Sequence, residues 1–293
     1  MSPPFDASSP LGADARVPPA AVPPAAVPPS AVAAATVRLR AAGCVFAEEE
    51  AALLAEAAAS GGGDGLAALD RLVALRAAGH PLEHVVGWAE FAGLRIAVGP
   101  GVFVPRRRTE FLLALARDLL ADAPGPVPAV VDLCCGSGAA AAALAASGRR
   151  AEVHAADIDP VAVGWARRNL AGAGEVHEGD LYAALPAALR GRVAVLVANV
   201  PYVPTADLPL LPTEARTHEP RVALDGGDDG LAVLRRVAAE AGEWLAPGGT
   251  LLVETTGRQA DTAREVLAAA GLTPALHHDE ERAATVLTGT RPA

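Results

Sequence analysis

The chain has 293 residues, 52% of them hydrophobic, enough for one large or two modest domains with a sizeable core. Its formal net charge of -10 argues against a general nucleic-acid binder, which carries a basic excess. Three cysteines, two of them adjacent, do not make a disulfide framework, and a reducing cytoplasm is the expected setting. No stretch reaches the roughly 18 unbroken apolar residues of a membrane-spanning helix. The N-terminus lacks the basic start of a signal peptide, so neither membrane nor export is expected. Every cationic side chain other than histidine is arginine, which reads as genome composition rather than chemistry.

Residues 1–31 are low in complexity, with "VPPAA" recurring as a five-residue unit. Such a segment favours extended polyproline II, buries nothing, and is expected to be a disordered tail. Residues 32–80 read as a small helical domain. In it, "EEEAALLAEAAAS" stops at "GGGDG", and Leu66, Leu69, Leu72 and Val73 then recur at helical spacing. Residues 81–108 alternate apolar with polar or small residues between glycines, which predicts a β-hairpin linker. The helix "TEFLLALARDLLADA" follows, with Thr109 as expected N-cap.

From there strands and helices alternate to the end of the chain. "AVVDL", "AEVHAAD", "EVHEG", "RVAVLVAN" and "TLLVET" read as strands. Helices lie between them or a long loop intervenes, the turn "APGG" leads into the last of the five, and two more strands close the chain. This pattern predicts an α/β domain over residues 109–293, a mostly parallel sheet with helices on both faces.

In such sheets ligands bind beyond the carboxyl ends of the strands. "VVDLCCGSGAA" places a glycine-bearing loop, Cys134, Cys135, Gly136, Ser137 and Gly138, where the first strand of this domain meets its helix. Gly136 and Gly138 permit close backbone approach to a ligand. Alone, the loop is weak evidence, since a tight strand–helix turn of any α/β domain is the alternative reading. Cys134 stands where a dinucleotide site has glycine, which disfavours a pyrophosphate. Acidic residues close three successive strands: Asp132 on the side of an amino-acid tail, Asp157 for ribose hydroxyls, and Asp180 for an adenine amine, with Leu181 packing on the base. That set fits S-adenosylmethionine, whose sulfonium and ammonium are cationic. No metal is assigned: the cysteines lack further ligands at metal spacing, and adjacent His277 and His278 make a poor chelate.

The fourth strand ends in Asn199, Val200, Pro201 and Tyr202. A residue before proline is held extended, so the Val200 carbonyl points outward beside the Asn199 amide oxygen. Two rigid acceptors can take both hydrogens of a planar NH2, and Tyr202 offers a flat face. A delocalised amide nitrogen is a poor nucleophile, and holding both hydrogens orients its lone pair.

With "GHPLEHVVGWAEFAGL", "VFVPRRRTEFLL", "VVDLCCGSGA", "AADIDP", "NVPYVP", "EPRVALDGGDDGL" and "LAPGGTLLVET" in this order, the chain resembles the protein-glutamine N5-methyltransferases, the release-factor glutamine methyltransferases and their relatives. The resemblance runs from about residue 40 to the end. It implies a Rossmann-like class I S-adenosylmethionine-dependent methyltransferase sheet with a small N-terminal helical substrate-binding domain. It implies methyl transfer to a glutamine side chain of a protein, a peptide chain release factor or a related translation protein, by a cytoplasmic and monomeric enzyme. It puts the cofactor against residues 134–138, Asp157, Asp180 and Leu181, and the glutamine amide against residues 199–202. Glu219-Pro220 falls in a family stretch near the site, its role left open.

Three positions depart from the family pattern. Val200 replaces the first proline of Asn-Pro-Pro-Tyr. "PRPETE" reads Pro105-Arg106-Arg107-Arg108-Thr109-Glu110, and the first loop glycine is Cys134. The arginine cluster reads either as a solvated linker or as a surface for an acidic or RNA-bearing partner. Two other functions share the motifs: a nucleic-acid exocyclic-amine methyltransferase, disfavoured by the acidic balance, and a non-catalytic binding module that keeps the fold.

Overall fold

The computed structural model describes residues 27–293. Most of the expected tail lies outside the described residues. Its end does not follow the expectation: α1 (Pro29–Ala41) begins inside the segment, with proline at its first turn. There the missing N–H costs nothing and φ is preset for a helix. Two further helices, α2 (Ala47–Ser60) and α3 (Gly65–Ala77), pack with α1 around Leu39, Leu54, Leu69 and Val73. Asp64 caps α3 by accepting from Leu66 and Ala67. Arg76 of α3 ties this bundle inward: it donates to Glu50 at 2.7 Å and to Glu214 at 3.1 Å.

The next segment opens with a short helix, α4 (Leu82–Val86), where only hairpin was expected. The hairpin itself is β1 (Trp88–Phe91) and β2 (Leu94–Ala97), antiparallel through a two-residue turn at Ala92-Gly93. Both turn residues have positive φ, the geometry that matches strand twist in a tight hairpin. Phe91 and Ile96 then face the main core.

The α/β unit begins with α5 (Thr109–Asp122), followed by β3 (Ala129–Leu133), α6 (Ala139–Ala145), β4 (Glu152–Asp157), α7 (Pro160–Leu170), β5 (Glu175–Glu178) and β6 (Val193–Ala198). After α8 (Thr213–His218) come α9 (Ala232–Trp244), β7 (Leu245–Thr255), α10 (Ala260–Ala269), β8 (Thr273–Asp279) and β9 (Ala284–Thr290). The sheet order is β5-β4-β3-β6-β7-β9-β8. Pairing is parallel from β5 through β7 and antiparallel for β9 against β7 and β8. β3 is fully buried, reading apolar throughout apart from Asp132, as a central parallel strand must. One face packs on α5, α6 and α7 through Leu112, Leu120, Leu144 and Leu170. The other packs on α9 and α10 through Leu234, Trp244 and Leu267. The order reverses beside β3, so the carboxyl ends of β4, β3 and β6 open on one crevice.

Two local readings need revision. The "APGG" turn lies within β7, where the register with β6 slips between Val193 and Val195. The long loop after β6 is not irregular throughout. Prolines 204, 212 and 220 each precede a short element, two 3-10 turns and α8.

Candidate active site

The crevice is a cavity of about 880 Å³, bordered by the β3–α6 loop, the ends of β4 and β6, residues 105–109 and the segment 203–224. Asp132, Cys134 to Ser137, Asp157, Asp180, Leu181 and Asn199 to Tyr202 all line it. Of the sequence candidates only Gly138 does not. It sits behind the wall at the start of α6 with φ of 74°. A Cβ there would lie 2.7 Å from Leu170 and 3.0 Å from Ala166, so this glycine is what lets α6 and α7 close together under the loop.

The three carboxylates differ in environment. Asp132 is buried and accepts the Ala141 N–H at 3.0 Å. Burial pushes its carboxyl up to about 7, a shift that the Ala141 hydrogen bond opposes and the nearby Asp157 reinforces. Asp157 accepts from Gly136 at 2.8 Å and from Asp159 at 2.9 Å, so it fixes the glycine loop against β4. Burial raises its pKa as well. Each of its oxygens keeps a lone pair for a ligand hydroxyl. Asp180 is exposed at the rim and pairs with Arg236 at 2.7 Å. Leu181 beside it is buried, with φ of 49°.

Cys134 occupies its loop position at φ of 54°, in the left-handed region that glycine would take without strain. Burial and the surrounding carboxylates push the thiols of Cys134 and Cys135 up, so neither is a thiolate nucleophile at neutral pH. Asn169, which no sequence signal marked, braces the loop from behind. It donates to the Ser137 carbonyl at 2.9 Å and exchanges hydrogen bonds with both backbone groups of Ala97.

Asn199 follows β6 at the cavity. Its Nδ2 lies 3.5 Å from Thr109 Oγ1, while its Oδ1 is buried and has no partner among the described residues. No described residue donates to the Val200 carbonyl, and the Val200 N–H finds no acceptor among them. Val200→Pro, which restores the family's proline, therefore removes no hydrogen bond. The variant is expected to keep its unfolding free energy within about 1 kcal/mol of the parent, because a residue before proline is biased to extended backbone and the ring replaces a buried apolar side chain of similar size. A denaturant titration checks it, and a loss several times larger would contradict this reading.

The expectation that Thr109 caps α5 is not met. Arg108 holds the cap position and no side-chain cap is made. The Thr109 hydroxyl instead donates to Glu254 at 2.7 Å, where it also faces Asn199. Glu254, the penultimate residue of β7, is buried and collects further donors: Arg108 Nε at 2.8 Å and the Tyr202 hydroxyl at 2.9 Å. Arg108 also donates to the Tyr202 oxygen. The Tyr202 carbonyl accepts from Gln259 at 2.9 Å. Gly230 lies so near that carbonyl that a Cβ would come within 2.3 Å of it. The ring and backbone of Tyr202 are thus both fixed. Glu254 could have been found from sequence by the rule that found Asp132, a carboxylate near the carboxyl end of a buried strand.

The arginine cluster is partly solvated, with Arg107 and Arg108 exposed, and it is also tied to internal carboxylates. Arg106 pairs with buried Glu219 and Arg108 with buried Glu254, and Arg107, the most exposed of the three, lies 3.7 Å from Glu90. Glu219 also accepts from the Val104 N–H at 3.3 Å. Burial raises its pKa against the pull of Arg106, and its Oε2 is buried without a partner at the cavity wall. A largely apolar cavity with two acceptors unpartnered among the described residues, at Asn199 and Glu219, is suited to a ligand that brings N–H or O–H donors to those two points.

Residues 130–218 match the family described as "Methyltransferase domain". The chain is 42% identical over 189 residues to the release factor glutamine methyltransferase of Streptomyces coelicolor, covering 64% of this chain and 67% of that protein. It is 45% identical over 195 residues to the protein of the same name in Mycolicibacterium smegmatis, covering 65% and 67%. Against that of Geobacter sulfurreducens it is 42% identical over 200 residues, covering 67% and 68%. Among solved structures, a methyltransferase from Pyrococcus furiosus superposes with a TM-score of 0.50 at 16% identity, covering 69% of this chain and 90% of that one. This last likeness concerns the fold.

Proposed function

The chain belongs to the release factor glutamine methyltransferases, and from that premise we propose that it methylates the side-chain nitrogen of a glutamine in a peptide chain release factor, using S-adenosylmethionine. The observation that carries the reading is the buried Asn199 Oδ1 just past the carboxyl end of β6, which, like the next residue's carbonyl at Val200, has no hydrogen-bond partner among the described residues.

The residues present fit the cofactor. Its two cationic groups suit a cavity whose lining includes Asp132, Asp157 and Asp180 among its carboxylates, and buried Asp132 is the one that most needs a positive neighbour. Asp157 has acceptor capacity left for ribose hydroxyls, and Leu181 offers an apolar wall. Bound there, S-adenosylmethionine supplies an electrophilic methyl on a cationic sulfur.

The protein's own groups do the rest. Asn199 Oδ1 and the Val200 carbonyl accept the two N–H groups of the glutamine amide, which aims the nitrogen lone pair and favours its pyramidalisation. Thr109 holds the Asn199 amide group in place, and Glu254 holds Thr109. Tyr202, tied by its hydroxyl to Glu254 and by its carbonyl to Gln259, presents a fixed face for the amide plane. No strong base is needed, because nitrogen becomes acidic once it is alkylated and its proton then leaves readily. Catalysis by this route is positioning and electrostatic preorganisation.

Incubating the protein with S-adenosylmethionine and a purified release factor, then mapping the product by mass spectrometry, tests the proposal. One added methyl on a glutamine side chain is expected. Methylation at another residue type, or none, would overturn it.

Asp132 sets a pH dependence. With its pKa near 7 in the free protein, it ionises as pH rises through neutrality, and the ionised form attracts a cation. Affinity for S-adenosylmethionine is expected to rise up to about 10-fold between about pH 6 and pH 8, following the ionised fraction. Asp132→Asn should bind more weakly and lose that slope, as calorimetry at the two pH values would show.

A further inference from the structure

On the strands β4 and β5, at the edge of the sheet, the register gathers a second set of ligating side chains. His154 lies opposite Glu175, so Glu152 and His154 on β4 share one face with Glu175 and His177 on β5. His154 Nδ1 is 3.0 Å from His177 Nε2. The Glu175 carboxylate lies 3.8 Å from the first and 4.0 Å from the second. All three donor atoms lie within 4.8 Å of one another.

We infer that His154, His177 and Glu175 form a binding site for a divalent transition-metal ion, zinc foremost, distinct from the methyl-transfer cavity. A tetrahedral ion with bonds of about 2.0–2.1 Å separates its ligand atoms by about 3.3 Å, inside the range of separations seen here. Two imidazoles and a carboxylate are the donor set that zinc takes with a fourth position left to solvent. The second sphere is also in place. Glu152 lies 3.3 Å from His154 Nε2, and Arg192 holds Glu152 at 2.8 Å. A carboxylate accepting from Nε2 keeps the proton there and leaves the Nδ1 lone pair for the ion, which fixes the tautomer a ligand needs. His154 is buried, His177 half-buried and Glu175 exposed, so an ion can enter from solvent and finish against a fixed ring. His154 sits three residues back along β4 from Asp157, about 10 Å by strand rise, and His177 is level with Ala156. An ion there crosslinks the edge strand β5 to β4 and takes no part in methyl transfer.

Zinc titration of the chelator-treated full chain by calorimetry, with cobalt absorption as a second readout, tests the site. The wild type should bind a single ion per chain with a four-coordinate cobalt spectrum. Zinc should also raise its thermal midpoint by at least about 3 °C. Because His154 is buried, the decisive variants are the accessible ones. Glu175→Gln should weaken binding at least about 10-fold, and His177→Gln should abolish both binding and the thermal shift. Glutamine methylation should be unchanged in both. A wild type that takes up no zinc would overturn the inference. So would a His177→Gln variant that binds as tightly as the parent, since the ion would then lie elsewhere, for instance at His277 and His278.

Discussion

Asn199→Ala is expected to lower the turnover of glutamine methylation at least about 100-fold while leaving the affinity for S-adenosylmethionine within about 2-fold, the scale of losing one preorganised polar contact to the reacting group. The separation of the two effects follows from where the residue sits. The cofactor-facing carboxylates belong to β3, β4 and the segment after β5. Asn199 directly follows β6, and its buried oxygen has no hydrogen-bond partner among the described residues. Truncation removes that acceptor and leaves Thr109 bonded to Glu254, so the fold loses little. Single-turnover kinetics with a release factor, beside calorimetry with the cofactor, measure both quantities. A variant that turns over like the parent would remove Asn199 from the mechanism.

Arg108→Ala should be the costliest change in the arginine cluster. Glu254 is 2% exposed and Arg108 45% exposed, so the substitution leaves a buried carboxylate facing a gap that water can enter. Removing one partner of a fully buried ion pair costs about 3–5 kcal/mol, and hydration of the gap reduces this to about 2 kcal/mol here. The Tyr202 hydroxyl loses its Arg108 donor at the same time, and the ring is freer to move. A fall in turnover of about 10- to 100-fold is expected from that misplacement. Denaturant unfolding and the methylation assay check the pair of effects. Stability within about 0.5 kcal/mol of the parent would show that Glu254 is held by Thr109 and Tyr202 alone. The same substitution bears on how this chain departs from its family pattern: an arginine in place of a carboxylate at position 108 is accommodated by an internal partner on β7.

The fold was legible where local signals repeat. Strand–helix alternation after residue 109, glycine at the β3–α6 loop and carboxylates closing the strands all report on one crevice, because a parallel sheet sends every strand end to the same side. The cavity-lining positions Asp132, Asp157 and Asn199 follow from that geometry. What escaped depends on contacts between distant segments. Thr109 looked like a helix cap because threonine before an apolar helix usually is one. Its partner Glu254 lies 145 positions further along. The internal pairing of the arginine cluster escaped because its acidic partners, Glu219 and Glu254, lie far along the chain. His154 and His177 are 23 positions apart, and only the β4–β5 register brings them face to face. The helix at Pro29 was hidden by composition, since a proline that favours an extended tail also favours a first helical turn.

A crystal of the protein with S-adenosylhomocysteine and a glutamine-bearing release-factor peptide tests the central claim most directly. The account predicts the glutamine amide nitrogen within hydrogen-bond distance of both Asn199 Oδ1 and the Val200 carbonyl, its free side turned to the cofactor sulfur. A glutamine seated elsewhere, with those two oxygens bonded to protein or solvent, would contradict it.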